Sequence, residues 1–477
     1  MITFAVCFVV LVAAYFLYGG WLGRVVGLDS NNEVPSKRLY DGVDYMPLPR
    51  WRIFLIQLLN IAGTGPIFGA ILGACYGPVA FLWITLGGIF MGAMHDFVAG
   101  VISLRNDGKS LPETIGKYLG GGMRRFSLVV IPVLMVLVGG VFIVTPSNIL
   151  ASMTNVPYMV WVVVIIVYYF VATVMPVDKI IGKIYPVFGA ALIFMAVAMF
   201  GVILFGGYDV PELTSLDNMH YKADNLPIVP TLFISIACGA ISGFHATQSP
   251  LMARCMTDER QTRPIFFGAM ISESIIALVW AAVAMVFFGG VDGLNGWMSA
   301  NGDNAGLAVS TISVATLGIL GSVVTLLGVV AAPITSGDTA FRSARLIVAD
   351  MLHIDQKPIV KRLLVSIPLF ALGIGIAFID FDVIWRYFAW SNQALSVLTL
   401  WMITAWFMRR RSRAYLVSII PAMIMTYICS SFVFVSDQFV GMGACDMAYI
   451  YGGAVTAIIS GLMILKIRRD IKHGAEI

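Results

Sequence analysis

Two stretches decide how this sequence folds: Ile61-Ala62-Gly63-Thr64-Gly65-Pro66 and Ser242-Gly243-Phe244-His245-Ala246-Thr247-Gln248-Ser249-Pro250. Each interrupts an apolar run with residues that disfavour continuous helix, where an N–H or C=O released into lipid finds no water to bond. Pro66 and Pro250 suit the first turn of a new half-helix, because their missing N–H would be unpaired there anyway. A small or hydroxyl residue precedes each proline, and Ser249 is a good cap. The competing reading is a simple kink, since glycine and proline are frequent in membrane helices.

Composition sets the surroundings of these breaks. Of 477 residues 59% are hydrophobic and 12% charged, against roughly 25% charged in a soluble domain. A water-soluble protein is excluded. With a net charge of +4 and no basic stripe interleaved with aromatics, nucleic acid is excluded as a partner. Six scattered cysteines lack a CxxC and five histidines lack an HExxH, so neither a disulfide framework nor a transition-metal site is expected. The run from Ile2 to Gly23 lacks the basic start and cleavage pattern of a secretory signal and reads as a retained membrane helix.

A helix needs about 20 apolar residues to cross the bilayer. Thirteen runs qualify: 3–23, 52–76, 79–104, 126–146, 158–175, 185–206, 228–252, 265–289, 316–337, 363–380, 384–407, 414–436 and 446–466. Every second loop between them is basic and together these hold 28 of the 30 Lys and Arg, including Lys179, Lys183 and Lys357. Basic loops stay cytoplasmic, which places the N-terminus outside and the C-terminus in the cytoplasm. Lys222 and Arg386 are the two exceptions, and Asp382 is a sufficient partner for Arg386. Ser110-Leu111-Pro112-Glu113 is a capping-box pattern that starts a short cytoplasmic helix. The Arg409 to Arg413 cluster reads as a topology anchor.

The broken spans are five apart and run in opposite directions. Spans 2 to 6 and 7 to 11 therefore form an inverted pair, the plan of LeuT-type secondary transporters, in which broken helices hold the substrate. The fold expected is an all-α polytopic membrane protein: a first helix and cytoplasmic loop over 1–50, five-helix repeats over 51–206 and 207–408, and two peripheral helices over 409–477.

At this point the chain resembles the carbon starvation protein A (CstA) family of prokaryotic inner-membrane transporters. The matching strings are Tyr40-Asp41-Gly42-Val43-Asp44-Tyr45-Met46-Pro47, Ile61 to Pro66, Asp107-Gly108-Lys109-Ser110-Leu111, Ile236 to Arg254 and Pro333 to Arg345. The resemblance implies a carrier for pyruvate or short peptides, used in carbon starvation and driven by an ion gradient. Where many relatives show a His pair before the first break, this sequence reads Ile56-Gln57.

Asp96 lies nine residues before Arg105, and Glu273 ten after Arg263, which puts each about 13 to 15 Å deep. A carboxylate there costs roughly 2.5 to 3.5 kcal/mol on insertion scales and must be paired, protonated or open to water. Both are candidate proton carriers; the alternative for each is a structural hydrogen bond between helices. His245, in the second break, is a candidate ligand of a substrate carboxylate or a titrating group, whereas His95 reads as a helix-to-helix hydrogen bond. Gly63, Thr64, Gly65, Gly243, Thr247, Gln248 and Ser249 complete the expected substrate site. Gln57 and Asn60 put amides on a shared face beside it, lining the site or pairing with other helices. The Ser391-Asn392-Gln393 cluster either faces the pathway or packs helices.

Likeness to the LeuT architecture further implies a sodium ion on Thr335 and Ser336, completed by carbonyls near Ala62 and Gly65; otherwise the two hydroxyls satisfy carbonyls freed by Pro333. Asp338 and Arg342, spaced i, i+4, form an ion pair at the cytoplasmic helix end or an inner gate. No cofactor beyond that sodium is expected, and the partners are the lipid bilayer and a small-molecule substrate.

The function expected is proton- or sodium-coupled uptake of a small carboxylate-bearing nutrient. The alternatives are an ion or solute channel, for which no repeated filter sequence occurs, and a membrane starvation sensor, for which no soluble signalling domain occurs. No nucleophile–base signature suggests an enzyme, and no GxxxxGK[ST] phosphate loop suggests a pump.

Overall fold

A computed structural model describes residues 1–154, 156–175, 181–356, 358–379 and 381–472. Among the described residues there are helices, turns and loops but no β-strand. In chain order the helices of eight residues or more are α1 (Ile2–Val26), α2 (Arg50–Ile61), α3 (Gly65–Ala74), α4 (Val79–Arg105), α5 (Leu111–Leu119), α6 (Gly121–Met153), α7 (Tyr158–Val174) and α8 (Ile181–Phe205). There follow α9 (228–235), α10 (Gly243–Ala253), α11 (Glu259–Phe287), α12 (Val291–Ala300), α13 (Ala305–Val324), α14 (Ala331–Leu352), α15 (Ile359–Ile376), α16 (Phe381–Arg409), α17 (Tyr415–Val435) and α18 (Asp446–Lys472). Among the described residues eight helices are long and apolar enough to cross a membrane, or nine if the bent α2–α3 pair is one span. The other expected spans are shorter, split or more polar. The α7 helix has only 17 residues, the seventh span is divided into α9 and α10, and α14 carries Asp338, Arg342 and Arg345 buried against its neighbours. Lys179 and Lys357 of the charge count lie outside the described residues, as does the side chain of Asp382, the expected partner of Arg386.

Burial separates centre from rim. In α11 and α4, 83% and 78% of the most apolar window is buried, against 28% in α1 and 22% in α18. The rim helices turn Val9, Leu364 and Leu462 outward, as a lipid-facing surface requires.

The first break lies where the sequence places it: α2 ends at Ile61, α3 begins at Gly65 with Pro66 in its first turn, and the two axes differ by 55°. The second break is displaced. Residues 243–253 are helical with Pro250 inside, and the unwound segment is 236–242. Gly239 at φ +92° ends any helix there, and Ser242 is extended as the cap of α10. His245, Thr247, Gln248 and Ser249 therefore stand on the first two turns of the new half-helix rather than in unwound chain. The expected span 316–337 is likewise corrected. Gly318, at φ 58°, breaks the chain inside α13, and a helix then continues through Asp338 and Arg342 to Leu352, where His353 at φ 54° stops it. The polar residues from Thr335 to Arg345 do not end the helix because nearly all of that stretch faces protein.

The unwound segment is bedded on other helices. A Cβ at Gly92 of α4 would meet the Ala240 carbonyl oxygen at 2.3 Å, so only glycine lets the two backbones lie this close. Trp83 Nε1 donates to the Ile236 carbonyl at 3.0 Å, and Gln393 of α16 donates to that of Phe233 at 3.2 Å. Asn392 Oδ1 accepts the Phe244 N–H at 2.8 Å, while its Nδ2 lies 2.9 Å from Ser242 Oγ. The amide thus replaces the helical acceptor that α10 lacks at its start. Asn392→Ala, which leaves that buried N–H unpaired, should destabilise the purified protein by about 1–3 kcal/mol. A thermal-unfolding midpoint no lower than wild type would show that the amide does not hold the break.

Candidate functional site

Four fully buried groups on three helices make one continuous polar chain. Asp96 and His95 stand on α4, one turn past a π-wound stretch, Trp83–Ala93, of a kind that recurs at functional sites. His95 Nδ1 lies 2.8 Å from Asp96 Oδ1, and His245 Nδ1 of α10 lies 2.8 Å from Asp96 Oδ2. Each ring N–H therefore donates to a separate oxygen of one carboxylate. The far side of the second ring, His245 Nε2, is 3.5 Å from Glu273 Oε2 of α11. Among the described residues His245 Nε2 and both Glu273 oxygens have no hydrogen-bond partner. In so apolar an interior an unpaired polar atom is costly, and these three share one space. Cys238 Sγ, a His245 ring nitrogen and a Glu273 oxygen lie within 4.8 Å of one another, one donor short of the four that close a structural zinc site.

The break residues gather round this chain. A Cβ at Gly65 would lie 2.4 Å from Cys238 Sγ, so the first break is pressed against the second. Thr64 Oγ1, Gln248 Oε1 and all four side-chain N and O atoms of Gln57 and Asn60 are buried without a partner among the described residues. They make α2 and α10 the polar wall of the site. Other expected ligands are engaged: Thr247 Oγ1 donates to the Phe244 carbonyl at 2.6 Å and Ser249 Oγ to that of His245 at 3.1 Å. Gln248 Nε2 reaches Thr247 Oγ1 at 3.1 Å and Ser343 Oγ of α14 at 3.5 Å.

The expected cation set is rearranged. Ser336 Oγ does reach the first broken helix, but it meets the carbonyls of Leu59 (3.2 Å) and Asn60 (3.1 Å) in place of Ala62 and Gly65. Thr335 Oγ1 turns to the Ala332 carbonyl on its own helix at 2.8 Å. The adjacent hydroxyls therefore point to different groups, and only Ser336 stands at the break.

Asp338 and Arg342 also separate. Asp338 accepts from the Tyr185 hydroxyl of α8 at 2.6 Å. Arg342 donates to the Ala172 carbonyl at 2.9 Å and lies 3.7 Å from Asp44 Oδ1. Asp44, Tyr185, Ser343 and Cys238 carry no site signal of their own in the sequence, although three of them lie in distinctive strings: Asp44 in Tyr40 to Pro47, Cys238 in Ile236 to Arg254 and Ser343 in Pro333 to Arg345. The string of Asp44 belongs to a loop that seals one end of the helices. Leu48 N–H donates to the Cys255 carbonyl, the Tyr45 hydroxyl to that of Asp107 and Arg254 Nε to that of Gly108. Arg38 pairs with Asp107, and Arg105 with Glu259.

Comparison with known proteins agrees with this architecture. The sequence profile of the family described as carbon starvation protein CstA matches residues 1–160 and 143–319. A Haemophilus influenzae protein named only as an uncharacterized membrane protein is 41% identical over 63% of this chain and 95% of its own length. The peptide transporter CstA of Campylobacter jejuni is 26% identical over 66% of this chain and 53% of its own. The Escherichia coli pyruvate/proton symporter BtsT is also 26% identical, over 63% and 50%. The chain thus spans about half the length of these two named relatives. Among solved structures, MhsT in complex with L-phenylalanine has a TM-score of 0.56 at 14% identity, covering 88% of this chain and 99% of that one. Mhp1, a nucleobase-cation-symport-1 family transporter, has 0.54 at 14% identity over 88% and 93%. The shared feature is the LeuT-type helical fold; the relatives with a named function and the structural neighbours are transporters, not enzymes.

The sealed end makes a prediction. Cys255 is fully buried beneath the loop, and burial pushes its thiol up to about 12. Arg342→Gln or Asp44→Asn should speed its maleimide labelling roughly tenfold or more, since breaking a buried pair costs several kcal/mol. Labelling at the wild-type rate, read by mass spectrometry, would show that the pair does not close this end.

Proposed function

The chain belongs to the carbon starvation protein CstA family, and from that premise we propose that it imports a small carboxylate-bearing nutrient, pyruvate or a short peptide, by proton-coupled alternating access during carbon starvation. The observation that carries the reading is the buried chain His95–Asp96–His245–Glu273, which joins α4, α10 and α11 beside both helix breaks. Alternating rings and carboxylates give a proton an acceptor at each step. The BtsT relative, a pyruvate/proton symporter, is consistent with it. Sodium is the less favoured ion because Thr335 is turned from Ser336.

In this reading the carrier lies in a prokaryotic inner membrane with the N-terminus outside and the C-terminus cytoplasmic. Thirteen spans include two inverted five-helix repeats, 51–206 and 207–408. The substrate carboxylate lies against the positive N-terminal ends of α3 and α10, with Gln57, Asn60, Thr64 and Gln248 supplying neutral polar contacts. Its entry brings a proton to Glu273 and His245. Rocking of the broken helices against α4, α6 and α14 then opens the loop sealed by Asp44 and Arg342, so that the pair acts as the inner gate. A channel reading fares worse, because the polar groups are buried beside two helix breaks, the arrangement of a transporter's binding site, and form no ring of the kind a selectivity filter needs.

Reconstituted liposomes test the proposal. Under an imposed proton gradient the wild-type protein should accumulate pyruvate or alanyl-phenylalanine with saturation. Asp96→Asn and Glu273→Gln should fall to the rate of empty liposomes while keeping substrate exchange at zero gradient. Unchanged proton-driven accumulation in both variants, or accumulation driven by sodium alone, would refute the proton chain.

A further inference from the structure

Charge placement points to a second site. Lys222 and Arg386 are the two basic residues that the alternation leaves off the basic side, and both line one cavity of about 700 Å³. Four charged side chains face that cavity: Lys222, Asp303, Arg386 and Asp437. Two of them are matched, with Lys222 Nζ 2.8 Å from Asp303 Oδ2 and the Tyr221 hydroxyl on Oδ1 at 2.7 Å. His220, in the same wall, is neutral at physiological pH because burial pushes its ring down to about 4. Arg386 and Asp437 are exposed and have no hydrogen-bond or ion-pair partner among the described residues. Among the described residues, then, one cation and one anion without partners line the same space.

The remainder of the wall mixes neutral polar side chains, among them Thr145, Asn148 and Asn304, with an apolar part that leads inward. Phe68 of α3 and Trp385 of α16 form part of it, ring centroids 6.2 Å apart. From Trp385 the rings step to Phe388 (5.4 Å), Phe142 (5.9 Å) and Phe244 (6.1 Å), the residue before His245. The cavity is thus a vestibule divided from the buried polar chain by a layer of aromatic side chains.

We infer that this vestibule is an entry site for a zwitterionic short peptide: Arg386 takes the terminal carboxylate, Asp437 the terminal ammonium, and the Phe68–Trp385 surface an apolar side chain. The planar guanidinium matches a carboxylate with two parallel donors. A simple anion such as pyruvate would use Arg386 and leave Asp437 as an unpaired like charge beside it. A zwitterion uses both groups, and the volume admits one with room for side chains. The inference deepens the importer reading by favouring peptide as the substrate class, but the binding itself requires no transport.

The test is isothermal titration of the full-length protein in lipid nanodiscs with L-alanyl-L-phenylalanine as probe. The wild-type protein should bind it, and Arg386→Gln and Asp437→Asn should each weaken binding about fivefold, as exposed ion pairs of this kind allow. Amidating the peptide's carboxylate should weaken binding to wild type but cost Arg386→Gln nothing further; acetylating its amine should behave likewise for Asp437→Asn. A wild-type thermal midpoint in both variants, expected for exposed positions, shows that folding is intact. Absence of peptide binding to wild type, or binding by both variants as tight as wild type's, overturns the inference. So does pyruvate binding as tight as the peptide's and sensitive to Arg386→Gln alone, which would make this a plain carboxylate site. Peptide binding with the expected variant pattern but no gradient-driven uptake in liposomes would instead refute the importer reading and leave the vestibule site standing.

Discussion

An N–H or C=O released from helical pairing inside an apolar interior must find its partner within the protein, at a cost of about 1–3 kcal/mol for each buried group left alone. That constraint, imposed at the short interruption after Ile61 and at 236–242, dictates where many of the buried polar side chains stand. Ser336 is drawn to the Leu59 and Asn60 carbonyls, Trp83 to Ile236, Gln393 to Phe233 and Asn392 to the start of α10. Close approach follows from the same need, since the Gly92 backbone must come near Ala240 for α4 to cover the unwound chain.

Covering the break has a chemical consequence. The α4 face that meets 236–242 also carries His95 and Asp96, and the α10 turn that begins at Ser242 presents His245 to them. Glu273 closes the row from α11. The titratable groups are therefore collected by the helix break itself. The two ends of the molecule differ in kind: the end bearing the basic loops is closed by ion pairs and loop carbonyls, and the other by a layer of rings under a vestibule.

Much of the fold was legible because lipid makes the sequence speak in few terms. Counting residues from Arg105 and Arg263 placed Asp96 and Glu273 at one depth, and Gly63 to Pro66 marked the first break correctly. The second break was read too far along the chain, because Ser242-Gly243 and Pro250 resemble punctuation while the positive φ of Gly239 leaves no signal of its own. The meeting of His245 with Asp96 spans 149 positions and depends on packing that periodicity does not encode. The i, i+4 spacing of Asp338 and Arg342 suggested a pair, yet Tyr185 and Asp44, from distant elements, engage each of them separately. Polar residues buried within α14 lowered its hydropathy and misplaced its ends, which no count of apolar residues alone could repair.

The central claim is that the four-group buried chain moves a proton with each substrate molecule. The most direct measurement records lumenal pH and the entry of labelled substrate together, in sodium-free liposomes holding the wild-type protein. The account predicts that adding pyruvate or alanyl-phenylalanine outside draws protons inward in fixed proportion to substrate. Substrate entry without proton entry would contradict it.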